Sequence, residues 1–482
     1  MLLALVLVLL PLKLALALVG GLIVVAITLI EPAFGLYMAI LSVPVQEAIQ
    51  LPAGLTVTQA TVLLAFGAWT LRVLAYPDRR LNLRLLLPWL VFLTIQLVSV
   101  ALTPYSQTEG VLQWARWLAA FLAFVLTLGT ITDQRRAWGL IAALLLAPAG
   151  AALLGLYQFA TASAPESFLI LGGRFARAYA TFGKPNPFAG YLNMAWPLAV
   201  ALGIFLLQGW RSGQQTSRKE PQALRATEEH GAAGPLQLGQ LLGGWLVALI
   251  LAGITLLLLV GLFASYSRGG WLGAIAGAGA LAITAGRRSA ALAGIALLLA
   301  VVLGLLGEFS VLPPAVTDRL DTITDNLRIF DAGEVAITDE NFAIVERMAH
   351  WQAGWRMFRS APLVGVGTGN FNAAYPDYFV APWAISQGHA HNYYIHTLAE
   401  SGILGLLSYV LLVGTMLFEA LRMRRQLRGT IWGAGAVGVC GIIAAVAGHN
   451  IFENLHVLNL GIQLSGVWGL AICAQRWGND TA

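Results

Sequence analysis

Six of the seven histidines in this 482-residue chain, at positions 350, 389, 391, 396, 449 and 456, fall in its last third. The densest run is HAHNYYIH from His389 to His396, followed by ESGILG from Glu400 to Gly405. An imidazole changes charge near neutral pH, so one placed beside a hydroxyl can take its proton as a general base. Three chemistries compete for the run. In the first, His391 is that base, His389 is an orienting neighbour, and Asn392 fixes the imidazole or a substrate hydroxyl. In the second, His-x-His with a third histidine and Glu400 supplies metal ligands, although the spacing puts His391 and His396 on different helix faces. In the third, His396 and Glu400, four residues apart, satisfy each other on one face of a helix.

Arginine is the second unusual feature, with 25 Arg against 3 Lys. Arg116 sits a turn or two inside the end of an apolar run. Arg174 and Arg177 precede the segment TFGKPNPFAGYL that contains Asn186. Arg268 opens an apolar run in SYSRGGW, and Arg347 stands on an amphipathic segment. A charge at a membrane is costly and by default functional. Guanidinium forks bind diphosphate through paired hydrogen bonds, and a helix N-terminus adds its dipole. For each arginine alone, the structural alternative is snorkelling or pairing with Glu109, Glu166 or Glu346.

The elements that must position these groups follow from composition. Residues AVILMFWYC make up 58% and glycine adds 52 more, while charged residues are only 11%, against ~25% in soluble domains. So few charges cannot cover so much apolar surface in water. The expectation is an all-α, polytopic membrane helical bundle, because apolar runs of this length exclude the ten-residue alternation of an outer-membrane barrel. Apolar runs fall near 2–30, 57–76, 85–103, 110–131, 137–160, 186–208, 240–265, 268–286, 289–308, 391–421, 429–450 and 456–475, about twelve spans. The piece 33–45 is too short to cross and reads as a half-span. The N-terminal run lacks a basic leader and a cleavage site, so it reads as a retained first span.

Arginines at 72, 79, 80 and 84, at 135 and 136, at 211, 218 and 225, at 287 and 288, and from 422 to 428 occupy alternate loops, which are therefore cytoplasmic. The site residues face the opposite side. Three parts result: N-terminal helices over 1–308 with a cytoplasmic linker at 209–239, a large outer loop over 309–390, and C-terminal helices over 391–482. Within the outer loop, Ile344, Met348, Trp351, Trp355 and Phe358 recur at helical spacing with Arg347, Arg356 and Arg359 off the stripe, which predicts a surface-lying helix over 341–359. The net charge of +5 reports topology and anionic headgroups, not nucleic acid. Cys440 and Cys473 lie inside apolar runs and read as small core residues.

At these residues the chain resembles the O-antigen ligase and O-antigen polymerase superfamily of bacterial envelope transferases. His391-Asn392, then nine residues, Gly402, two residues and Gly405 fit the ligase pattern. Ser267-Arg268-Gly269, the segment around Asn186, and the stretch from Glu346-Arg347 through Pro362 to Phe371 resemble family segments, so that the likeness covers about 160–475. The resemblance implies a C-type membrane glycosyltransferase of the inner (plasma) membrane, with its site facing the periplasm. It would move a glycan from undecaprenyl diphosphate to an acceptor hydroxyl, either on lipid A-core of lipopolysaccharide or on another lipid-linked glycan. By similarity His391 is catalytic, and the arginines hold the diphosphate in place of a metal, with no cofactor. His391, Arg268 and at least one of Arg174, Arg177 and Arg347 are then expected to line one cavity. The superfamily also includes members assigned as bicarbonate transporters. A small-anion transporter is therefore the alternative, although the chain shows no inverted repeat and its polar groups gather at the rim.

Overall fold

The computed structural model describes residues 12–48, 54–76, 83–219, 235–292, 294–295, 330–338 and 341–477. The helices are α1 (Leu12–Ile30), α2 (Pro32–Ser42), α3 (Val57–Ala75), α4 (Leu83–Ala101), α5 (Gln107–Thr130) and α6 (Gln134–Thr161). A two-residue antiparallel ribbon of β1 (Leu169–Ile170) and β2 (Phe175–Ala176) precedes α7 (Pro185–Asn193), α8 (Trp196–Lys219), α9 (Pro235–Ala264) and α10 (Arg268–Ala285). The rest are α11 (Phe342–Ser360), α12 (Phe371–Tyr378), α13 (Tyr393–Gln426), α14 (Ile431–His449) and α15 (Leu460–Cys473).

Local chemistry sets most of the starts. Pro32 and Pro185 open α2 and α7, where a missing N–H costs nothing. Thr56 and Gln59 form a reciprocal capping box on α3, and Ser106, Asp133, Ser267 and Thr430 each accept a backbone N–H at the start of α5, α6, α10 and α14. The bundle is apolar inside and outside alike. Aromatic rings of Trp89, Phe92, Trp117, Phe124 and Trp468 fill the centre, while Leu74 and Leu256 on α3 and α9 stay 75% and 65% exposed, as lipid-facing positions should.

Eight helices among the described residues are long and apolar enough to cross a membrane, fewer than the twelve expected. The runs at 268–286 and 456–475 are helical, but α10 is diluted with glycine and α15 has only 14 residues. The run at 289–308 lies largely outside the described residues. The expected linker at 209–239 is narrower than its composition suggested, because α8 continues to Lys219 and α9 begins at Pro235; the residues between them lie outside those described. The short piece after Glu31 is α2, a buried helix followed by a 3₁₀ turn over Val43–Ala48.

Helix α11 packs on α12 and α13. Only part of the apolar stripe read from the sequence packs into the protein. Ile344 and Met348 are buried, but Trp355 is 50% exposed, and Ala349, Ala353, Gly354 and Met357 complete the buried face instead. Small residues allow α11 to approach its neighbours closely, while Trp355 turns away and Trp351 is only partly buried.

The longest helix, α13, is broken at Gly402, whose backbone (φ 64°, ψ −165°) is not helical. The chain from 362 to 367 crosses the break and supplies what the helix gives up. Ile403 and Leu404 N–H groups donate to the carbonyls of Pro362 and Leu363, and Val366 and Gly367 N–H groups donate to those of Ala399 and Glu400. The last turn of α4 and the residues just after it lock the crossing from behind: Ser99 Oγ lies 2.8 Å from both the Val364 and Glu400 carbonyl oxygens, and Thr103 Oγ1 donates to Val366 O. A Cβ at Gly402 would stand 2.3 Å from the Leu363 carbonyl carbon, and one at Gly365 2.3 Å from that of Glu400. These contacts explain why glycine stands at 402 in the family-like pattern.

Gly402→Ala should therefore cost at least ~2 kcal/mol, the sum of a left-handed backbone and a clash with main chain. Gly414→Ala, in the same helix with open space around it, should be neutral or slightly stabilising. Thermal unfolding of the two purified variants checks this; equal melting temperatures would refute the crossing.

Candidate active site

The polar residues gather where the N-termini of α7, α10 and α13 meet the C-terminus of α14 and one face of α11. Ser267 caps α10, so Arg268 is the first residue of that helix. Arg177 follows β2 and donates from Nε to the Ser265 carbonyl at 3.1 Å. Arg347 comes from α11 and His449 from the last turn of α14. A cavity of about 140 Å³ is lined by the polar groups of Arg177, Asn186, Arg268, Arg347 and His449, with Tyr266 and Phe452 among its apolar walls. Three guanidinium groups from three separate elements thus share one small polar space beside a helix N-terminus, an arrangement suited to a multiply charged anion.

Of the five arginines singled out, Arg177, Arg268 and Arg347 line this cavity. Arg174 is exposed and lies over the Phe175 ring, 5.4 Å from its centroid. Arg116 is exposed too and donates to Gln113 Oε1 at 2.7 Å. Neither lines it.

The histidine run stands next to this cavity and is joined to it by a carboxylate. Asn186 is shared between the two: its Oδ1 lies 3.4 Å from Arg177 Nη2, and its Nδ2 donates to Glu453 Oε2. The other oxygen, Glu453 Oε1, accepts from the Asn454 N–H at 3.1 Å and lies 3.2 Å from His389 Nε2 and 3.6 Å from His391 Nδ1. The His391 backbone N–H donates to His389 Nδ1 at 3.1 Å. That bond requires Nδ1 to be the acceptor, so the neutral His389 ring carries its hydrogen on Nε2, facing Glu453. Burial pushes the His389 imidazole down to about 3. Burial also opposes ionisation of Glu453, but the two imidazoles and the Asn454 N–H outweigh it and hold the carboxyl well below its ordinary range. At neutral pH the pair is a neutral imidazole beside a carboxylate.

His350 on α11 braces the loop that carries the histidines. Its Nδ1 bonds the Glu346 carbonyl at 2.7 Å, its Nε2 accepts the Gln387 N–H at 3.2 Å, and its ring meets that of His391 edge-on at 5.6 Å between centroids. Burial lowers its pKa as well.

Asn392 takes a role other than the one weighed from sequence, whereas His396 and Glu400 form the pair that their spacing implied. Asn392 does not reach toward His391; its Oδ1 accepts the Tyr394 and Ile395 N–H groups and caps α13. His396 Nε2 lies 3.4 Å from Glu400 Oε2, so that pair is internal, and the same carboxylate accepts the Gly369 and Phe371 N–H groups at the start of α12. The ligand set of three histidines with Glu400 is therefore not assembled. Among the described residues, the group with metal-ligand proximity is His389, His391 and Glu453.

Glu453 and His449 were not picked out from the sequence. The signal existed for Glu453: it is a single carboxylate between two apolar helices, and an ionisable group there is functional by default. His449 looked like the end of a span, and only packing shows that it faces the arginines.

Fold and site together define a polytopic helical membrane protein with a cationic cavity beside a histidine and carboxylate cluster. Residues 253–410 match the family model described as O-antigen ligase, which makes the chain similar to that family from the end of α9 through α10, α11 and α12 to the first half of α13. The match supports membrane glycan transfer and lends nothing to anion transport. No curated protein matches the chain.

Unfolding restores an ordinary imidazole at His389, which binds a proton that the folded ring refuses. Its contribution to stability is therefore complete above ~6.5 and is lost as pH falls from there toward about 3; Glu453 acts in the same direction at lower pH. In chelator-treated protein, His389→Gln should flatten the decline of melting temperature between pH 6.5 and 5, where one such group contributes up to about 1.4 kcal/mol per pH unit. Parallel wild-type and variant profiles would contradict the buried neutral imidazole.

Proposed function

We propose that this protein transfers a glycan from undecaprenyl diphosphate to an acceptor hydroxyl, in the manner of an O-antigen ligase or a polysaccharide polymerase, at the outer face of the inner membrane. On this reading the chain crosses the membrane about twelve times, α11 lies along the outer surface, and the alternation of basic loops puts the cavity outside. The observation that carries it is the convergence of Arg177, Arg268 and Arg347 on one cavity that Asn186 and Glu453 join to His391.

The chemistry follows from that arrangement. The donor's diphosphate lies among the three guanidinium groups. His391 presents Nδ1 to Glu453, which leaves Nε2 to take the proton of the acceptor hydroxyl. The acceptor oxygen attacks the anomeric carbon as the bond to the diphosphate oxygen breaks, and the departing negative charge is stabilised by arginines already in place. A single displacement of this kind inverts the anomeric configuration. Glu453 acts as the orienting group of the base, and His389 and Asn186 hold Glu453. The arginines supply the positive charge that a divalent ion would otherwise provide, so the reaction needs no metal.

His391→Ala should lower transfer by ~10²–10⁴-fold in protein that remains folded. Arg268→Ala and Arg347→Ala should be far more damaging than Arg116→Ala or Arg174→Ala, which remove exposed groups outside the cavity. His396→Ala should act through stability, since its partner is Glu400, and His389→Ala should fall between. The measurement is glycan transfer by purified variants supplied with lipid-linked donor, normalised to folded protein. Near-normal turnover by His391→Ala would remove it as the base. Wild-type activity should also persist in EDTA; loss on chelation with recovery in a divalent ion would overturn the arginine clamp.

A further inference from the structure

His389 Nε2, His391 Nδ1 and Glu453 Oε1 face one another: the carboxylate oxygen is 3.2 Å from the first and 3.6 Å from the second, and all three ligand atoms lie within 4.8 Å. A tetrahedral zinc ion with bonds of ~2.0–2.1 Å holds its ligand atoms roughly 3.3–3.4 Å apart. The carboxylate's distances to the two rings already bracket that value. His391 Nδ1 is buried without a hydrogen-bond partner, which leaves a ligand lone pair or an N–H aimed at the cluster. Two imidazoles and one carboxylate suit a borderline ion such as zinc or cobalt and not magnesium or calcium, which favour all-oxygen sites.

We propose that His389, His391 and Glu453 form a three-ligand site for a divalent ion of the zinc class, with the fourth position open, and that occupation of this site switches transfer off. The binding stands on the geometry alone, whereas the switch rests on the reading of His391 as the base. An ion on His391 Nδ1 leaves that ring's hydrogen on Nε2, the atom that would receive the acceptor proton. An ion on His389 Nε2 moves that ring's hydrogen to Nδ1, where it meets the His391 N–H that now donates there. The bond between the two residues is lost, and the loop leaves the position it holds in the metal-free protein. Metal-bound and base-competent arrangements therefore exclude each other, and the disrupted outer shell keeps the affinity moderate.

The test uses the full-length protein in detergent, stripped with chelator. Cobalt is titrated while the visible absorption of a low-coordinate site is followed, and zinc is then added as competitor. One equivalent should bind. Glu453→Gln and His389→Gln should weaken binding by more than the ~10–100-fold that loss of an outer-shell partner costs, whereas Glu166→Gln, an exposed carboxylate, should bind like wild type. Thermal unfolding identifies any variant that does not fold, and the wild-type titration stands without it. Absence of a cobalt signal, or equal binding by all variants, overturns the site. In the transfer assay, zinc should inhibit and EDTA should restore activity. Binding without inhibition overturns the switch but leaves the site, and activation by zinc overturns the switch together with metal-independent transfer. A chain that binds one cobalt but transfers no glycan under any condition would retain the site and lose the proposed function.

Discussion

A carboxylate removed from water must collect hydrogen-bond donors or lose its charge. Glu453, only 3% exposed, collects them from parts of the chain far apart in sequence. Asn186 reaches it from α7, the Asn454 N–H from its own loop, and His389 from the segment before α13. The demand of one buried charge thus sets the distance between the arginine-lined cavity and the histidine run. It also settles the tautomer of His389, since the ring's other nitrogen is committed to the His391 N–H. A residue that touches no cavity wall in its own right becomes the joint between two functional groups.

The second joint is made of backbone. Breaking α13 at Gly402 frees carbonyls and N–H groups inside a bundle that has no water to offer them, and such groups must be satisfied by protein. The segment 362–367 satisfies them, and two glycines without Cβ atoms let the main chains touch. Because that segment leads back to α11, the crossing fixes Arg347 relative to the helix that begins at Tyr393. Glu400 contributes from both sides, with its carbonyl bonded to the Gly367 N–H and its carboxylate to the start of α12 and to His396. His350 adds a third tie through Gln387. His391 and Arg347 are thereby held to one another through α11.

The family match ends at residue 410 and begins at 253. It contains Arg268, Arg347 and His391 but neither Arg177 and Asn186 before it nor His449 and Glu453 after it. The cavity is assembled across those limits. The matched segment therefore supplies two of the three cavity arginines and the histidine, while flanking segments supply the third arginine and the carboxylate beside the histidine. The stability in acid, the proposed proton transfer and the proposed ion site all draw on the cluster of His389, His391 and Glu453, so any substitution among them should be read with more than one assay.

Sequence by itself determined the class of protein, because 58% apolar residues with 11% charge can be accommodated only in lipid. Periodicity and breakers placed most helices, and the spacing of His396 and Glu400 disclosed a pair that the fold retains. Composition was less reliable at the ends of helices: α8 and α9 run into what read as a linker, because a polar sequence can continue a helix once it has been nucleated. Charge at a membrane flagged five arginines, yet only packing separates Arg177, Arg268 and Arg347 from Arg116 and Arg174, since a guanidinium on a long stem can reach water or a cavity from the same helix position. Glu453 shows the limit most clearly. Its partners lie 267 residues away at Asn186 and 64 away at His389, and no local pattern encodes a contact of that range. Which polar groups meet is decided by the requirement that every buried one find a partner, and that requirement is resolved only in the folded bundle.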